Sequence, residues 1–260
     1  MAWFFSARCP VDEEMRKWVE YRMAWLTGEF GLETWWSAPA VTPTDEFFPD
    51  RFDGSEHAVE IMLQRVCQYM GINPDKVTLR LYDEGRHAEL RQGLAIHSEG
   101  GGSAGRYTHD EKHIVMIEAS GLSDTAGLVA TIAHELSHVR LLGEGRVTGD
   151  EDDHEQLTDL ATVFFGLGVF NANSVVNFNQ WSKEGWSGWS SSKKGYLNEA
   201  TFAYALALWA YVRREDHWLR HLRPTVRSMV KQGIRYVEKN PPKGLAERRR
   251  PIGEKYPGSK

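Results

Sequence analysis

The sequence predicts an α+β fold. Period-two alternation marks short strands between residues 77 and 118, and 3.6-period apolar patterning marks helices on both sides of them. Its 260 residues, 41% hydrophobic and 26% charged, suffice for one large core or for two lobes around a cleft. A net charge of −5 gives no global basic field of the kind that gathers nucleic acid or anionic lipid, so neither is expected as a partner.

Asp12 to Leu26 carries Met15, Trp18, Val19, Arg22 and Leu26 at helical spacing and is expected to stop near Gly28. The prolines between Ala38 and Pro49 forbid regular helix and predict an extended surface connection. A second helix is expected from Ser55 or Glu56, with Val59, Met62, Leu63 and Val66 on one side, ending before Gly71. Val77 to Tyr82 alternates as a strand, and Leu94 to His97 and His113 to Glu118 are further strands. The glycine run Glu99 to Gly105 lacks the Lys-Ser/Thr ending of a phosphate loop and reads as a hairpin connection. From Ser123 the pattern turns helical. Ser123 with Asp124 caps a helix from Ala126 to Leu142, and others are expected over Asp152 to Phe170, Asn198 to Arg213 and Trp218 to Val237. The Trp181 to Trp189 segment fits no regular element. The basic tail from Pro241 reads as a solvated end. Three units follow: residues 1–122 with helices and a small sheet, 123–240 with a helical lobe, and the tail 241–260, the two lobes forming one domain.

Two cysteines, Cys9 and Cys67, make neither a disulfide framework nor a CxxC site, though one bridge between them is compatible with the sequence. The start lacks the basic region and apolar length of a signal peptide, and no apolar run reaches the ~20 residues that span a bilayer. A cytoplasmic protein is expected.

The chemistry concentrates in His134-Glu135-Leu136-Ser137-His138. Residues four apart lie one helical turn above each other, so two imidazoles can ligate one metal ion, and Glu135 can take a proton from water bound beside it. At ~100° per residue, Leu128, Ile132, Leu136 and Val139 form the apolar stripe, and the histidines lie opposite among Ala130, Thr131 and Ser137. A catalytic zinc takes three protein ligands and leaves one position for water, so a third is needed. On the following helix Glu155, Asp159, Thr162 and Gly166 share a face, opposite Leu157, Leu160, Phe164 and Leu167. Glu155 can reach the metal while Asp159, one turn on, orients a ligating histidine. His154 is an alternative third ligand. His217 to His221 repeats the histidine spacing without a glutamate and reads as helix surface.

His134-Glu135-Leu136-Ser137-His138 followed by Glu155-Gln156-Leu157-Thr158-Asp159 resembles the HExxH plus ExxxD pattern of gluzincin zinc metallopeptidases, thermolysin-like in the broad sense. The resemblance covers at most His134 to Phe170. Val139 to Gly143 does not continue as the longer metzincin motif. It implies a zincin-like fold: a small mixed sheet, an active-site helix, a glutamate helix and a helical C-terminal lobe. His134, His138 and Glu155 would be Zn2+ ligands, Glu135 the general base and Asp159 the partner of His134. A peptide or protein substrate would lie along the strand from Lys112 to Glu118. Such enzymes stabilise the oxyanion with a further Tyr or His, for which Tyr196 is nominated ahead of His97, His109 and His217. The alternative is a non-catalytic zinc-binding regulatory or scaffold protein.

Overall fold

The computed structural model describes residues 8–82, 112–181 and 197–251. Helix α1 (Glu13–Phe30) starts where the Asp12 carboxylate accepts the Met15 N–H at 2.9 Å, and it buries Val19, Met23 and Leu26. It runs a few residues past Gly28 to Gly31, where φ is +86° and the chain turns into α2 (Leu32–Ser37), a short helix burying Trp35 that the patterning did not mark. The proline-rich stretch forms no regular helix, as expected, but it is not a surface connection at its start: Ala38, Ala40, Val41 and Thr42 are buried where the chain crosses Gly166. Helix α3 (Glu56–Tyr69) is capped by Ser55 and buries Val59, Met62, Leu63, Val66 and Cys67.

Strands β1 (Val77–Tyr82) and β2 (His113–Glu118) pair in parallel, with Val77 opposite His113 and Tyr82 opposite Glu118. The described sheet is therefore this parallel pair and not a mixed one; its strands need a crossover, because a tight hairpin can join only antiparallel neighbours. The expected strand at Leu94 to His97 and the glycine-rich connection lie outside the described residues. No described strand pairs with the second edge of β2.

Helix α4 (Thr125–His138) begins at Asp124, whose carboxylate accepts the Gly127 N–H at 2.9 Å. The α-pattern stops at His138 instead of running to Leu142. The next turn, Val139–Gly143, widens to a π-turn, with the Glu144 N–H on the Val139 carbonyl at 3.0 Å. A side chain at Gly143 would meet the His113 ring at 2.7 Å, so glycine lets β2 approach this turn.

The helix expected over Asp152 to Phe170 is two helices, α5 (His154–Phe164) and α6 (Gly168–Trp181). Between them Gly166 adopts φ +86°; its N–H reaches the Val163 carbonyl at 3.0 Å and the Leu167 N–H reaches Thr162 at 2.9 Å, a Schellman ending. A Cβ at Gly166 would stand 2.0 Å from the Pro39 carbonyl oxygen, so the proline stretch crosses close to the break.

Helix α7 (Glu199–Arg213), capped by Asn198, is buried on every side from Thr201 to Arg213 and packs against α1, α5, α6 and the last helix, α8 (Pro224–Lys239). Helix α8 is amphipathic and turns Val226, Val230, Gly233 and Val237 inward. The single helix expected from Trp218 is interrupted: His217–His221 is a 3-10 turn, and Pro224 opens α8 at a position where no N–H is required.

The expectation of a solvated tail is corrected. Residues 241–251 pack onto the body: Leu245 is buried, the Arg248 carbonyl accepts the Trp36 indole N–H, and Arg249 stacks on Tyr211 while donating to its carbonyl. The apolar anchor Leu245 outweighs the charge around it. Cys9 and Cys67 are free thiols. No helix among the described residues is long and apolar enough to cross a membrane.

Candidate metal centre

Helices α4 and α5 pack side by side and bring His134, His138 and Glu155 together. The Nε2 atoms of His134 and His138 lie 3.1 Å apart, and Glu155 Oε2 lies 3.3 Å from the first and 3.5 Å from the second. Ligand atoms held ~2.0–2.2 Å from one tetrahedral ion stand roughly 3.3–3.6 Å from one another, so both Glu155 separations match a zinc-sized tetrahedron and the 3.1 Å between the histidines falls slightly short of it. Side-chain exposure rises from 11% at His134 through 22% at His138 to 30% at Glu155, which makes the cluster inset yet reachable from solvent.

Each imidazole is oriented from behind. The Asp159 carboxylate accepts the His134 Nδ1–H at 2.9 Å through one oxygen and the Leu197 backbone N–H at 2.9 Å through the other. The Thr158 hydroxyl donates its proton to the His154 carbonyl at 2.8 Å. It can then only accept from His138 Nδ1, which lies 3.3 Å away. With both Nδ1 atoms donating, each ring, once its Nε2 proton is displaced, presents that nitrogen's lone pair to the common point. Two lone pairs and a carboxylate oxygen at this separation repel one another unless a metal cation, or a proton on one of the rings, lies among them. Glu155 Oε2 is buried and accepts no hydrogen bond among the described residues, which is the state of a ligand atom.

The electrostatics agree. Burial disfavours an imidazolium at His134, but Asp159 and Glu155 outweigh it and push the group up to about 10. Burial likewise raises the Glu155 carboxyl, yet His134 and His138 together hold it well below the usual carboxylate range. Both shifts favour positive charge among these groups, whether as a proton on His134 or as a bound cation. The donor set, two imidazoles and one carboxylate, suits zinc.

Glu135 sits on α4 beside His134, half-buried, with no hydrogen bond or ion pair to its carboxylate among the described residues. His154 approaches the cluster differently: its Nδ1–H donates to the Glu151 carbonyl at 2.9 Å, and its Nε2 lies 3.3 Å from Oε1 of Glu155, the oxygen turned away from the other histidines. His217 lies 3.7 Å from Glu215 and His221 accepts from Arg220, and the group that could hold a metal among the described residues is the His134, His138 and Glu155 one. Tyr196, His97 and His109 lie outside the described residues, as does the stretch from 182 to 189.

Thr158 is the residue that sequence reasoning missed. The signal was present, since Glu155, Thr158 and Asp159 fall at i, i+3 and i+4 and so share one helix face.

No protein-family model matches this chain, and no curated protein or solved structure matches it either.

Proposed function

We propose that this chain is a zinc-dependent metallopeptidase with a zincin-like fold, hydrolysing a peptide bond in a peptide or protein substrate. The observation that carries the reading is the convergence of His134 Nε2, His138 Nε2 and Glu155 Oε2 on one point, with both rings oriented by Asp159 and Thr158. Three protein ligands are the count of a catalytic zinc site, which keeps one position for water. Support for the fold is the order β2, histidine helix, glutamate helix, together with the second edge of β2. The free thiols of Cys9 and Cys67 favour a reducing, cytoplasmic setting, which belongs to the same proposal.

His134, His138 and Glu155 would hold the ion. Zinc bound there would acidify water toward neutrality and polarise the scissile carbonyl. The remaining chemistry belongs to the chain. A Glu135 carboxylate oxygen accepts the proton that water loses as it attacks, then delivers it to the departing amine nitrogen. Asp159 and Thr158 keep the imidazole protons on Nδ1, so that the rings stay ligands throughout.

Glu135→Gln is the direct test. The variant keeps the ligand set and should bind zinc like the unmodified protein, while cleavage of a peptide library falls by about 10²–10⁴-fold, the range of a lost general base. Equal cleavage by the two proteins would end the assignment.

A further inference from the structure

The start of α5 is built in an unusual way. Asp153 occupies its N-cap position, where an aspartate ordinarily accepts a backbone N–H of its own helix, yet its side chain makes no such bond. The carboxylate is instead turned toward α1. Arg22 grips it through two bonds, Nε to Oδ2 at 2.8 Å and Nη2 to Oδ1 at 2.5 Å, and the Trp18 indole N–H adds a third at 2.7 Å. The same guanidinium reaches the Glu151 carboxylate at 3.0 Å and is only 13% exposed. The Glu151 carbonyl accepts His154 Nδ1–H, and His154 Nε2 lies against Oε1 of Glu155. Two routes therefore run from Arg22 toward Glu155: through Asp153, two residues ahead on the chain, and through Glu151 and His154 onto the oxygen that the other histidines do not use.

We propose that Arg22, with Trp18, is a positioning residue for the metal site: it gives up the local cap of α5 and fixes the start of that helix to α1, so that Oε2 of Glu155 faces His134 and His138. This rests on the metal-site reading above. Arginine suits the task because its planar fork holds a carboxylate in one orientation, which a lysine ammonium cannot do. The consequence is that an element more than a hundred residues upstream sets metal affinity without touching the metal.

The test is zinc affinity, measured by competition with a chromogenic chelator, together with the visible spectrum of the cobalt-loaded protein. Both are read on the full chain well below its melting temperature. Arg22→Met should weaken zinc binding by about tenfold, the lower end of what loss of a ligand's supporting partner costs, and Arg22→Lys should restore part of it. Because Arg22→Met leaves Asp153 without its partner, the double variant Arg22→Met/Asp153→Ser removes that charge and supplies a serine cap to α5. If α1 positions Glu155, the double variant folds with its helix content intact and still binds zinc about tenfold more weakly, with an altered cobalt spectrum. Recovery of full affinity and of the unmodified spectrum in the double variant would overturn the proposal, because a capped helix would then suffice. Failure of the unmodified protein to bind zinc would instead bring down the metal-site reading itself.

Discussion

Replacing Asp159 by asparagine changes one atom's chemistry at almost constant shape, and the surroundings dictate the outcome. Asp159 is buried and accepts from two donors, the His134 Nδ1–H and the Leu197 N–H, each at 2.9 Å. An asparagine has one acceptor oxygen, so its amide group must face one of the two. If the amide meets Leu197, two donors confront each other in the interior at a cost of about 1–3 kcal/mol. If it meets His134, the ring must take the other tautomer, which places a proton on Nε2 and removes the lone pair aimed at the metal point. Either arrangement weakens the site, and loss of such an orienting partner lowers metal affinity by about 10–100-fold, or roughly 1.4–2.8 kcal/mol. Zinc competition titrations on Asp159→Asn and the unmodified protein measure this. Affinity within twofold of the original would refute the reasoning that Asp159 fixes the His134 tautomer.

Other predictions concern the scaffold. Gly166→Ala forces a side chain into a left-handed conformation and against the Pro39 carbonyl, so denaturant unfolding should show a loss of at least about 2 kcal/mol; an unchanged midpoint would mean that the Schellman break is not required. Burial pushes the Cys67 thiol up to about 12, so a disulfide reagent at pH 8 should label Cys67 only on unfolding. The sign follows: the folded thiol stays protonated while the unfolded one ionises, so stability is complete below the unfolded value of about 8.5 and falls as pH rises from there toward 12. Cys67→Ala should remove that alkaline component, visible in melting curves taken across the range.

The elements that were legible in the sequence are those whose signals are local. Helix starts at Asp12, Ser55, Asp124 and Asn198 lie within a residue or two of those expected, because each of these residues caps its helix with a side-chain oxygen that needs only an N–H three residues on. The histidine pair and the Glu155/Asp159 register were legible because helical spacing alone stacks them. What was hidden depends on distant chain. Helices α5 and α6 read as one because apolar residues continue across Gly166, although the Schellman turn at that glycine ends the first helix and the Pro39 carbonyl packs against it. The π-turn after His138 shares its composition with the helix before it. Arg22 falls at helical spacing with Trp18 and Leu26, and its role becomes visible only with Asp153 opposite it. Leu245 was masked by the charged residues around it, although its burial is what docks the tail.

The central claim is that His134, His138 and Glu155 hold one zinc ion. Elemental mass spectrometry on protein purified without an affinity tag or chelator tests it, comparing the unmodified chain with His134→Ala and Glu155→Ala. The geometry predicts one zinc per chain in the first and little in either variant. Protein that stays free of zinc after zinc is supplied, or variants that retain it fully, would contradict the account.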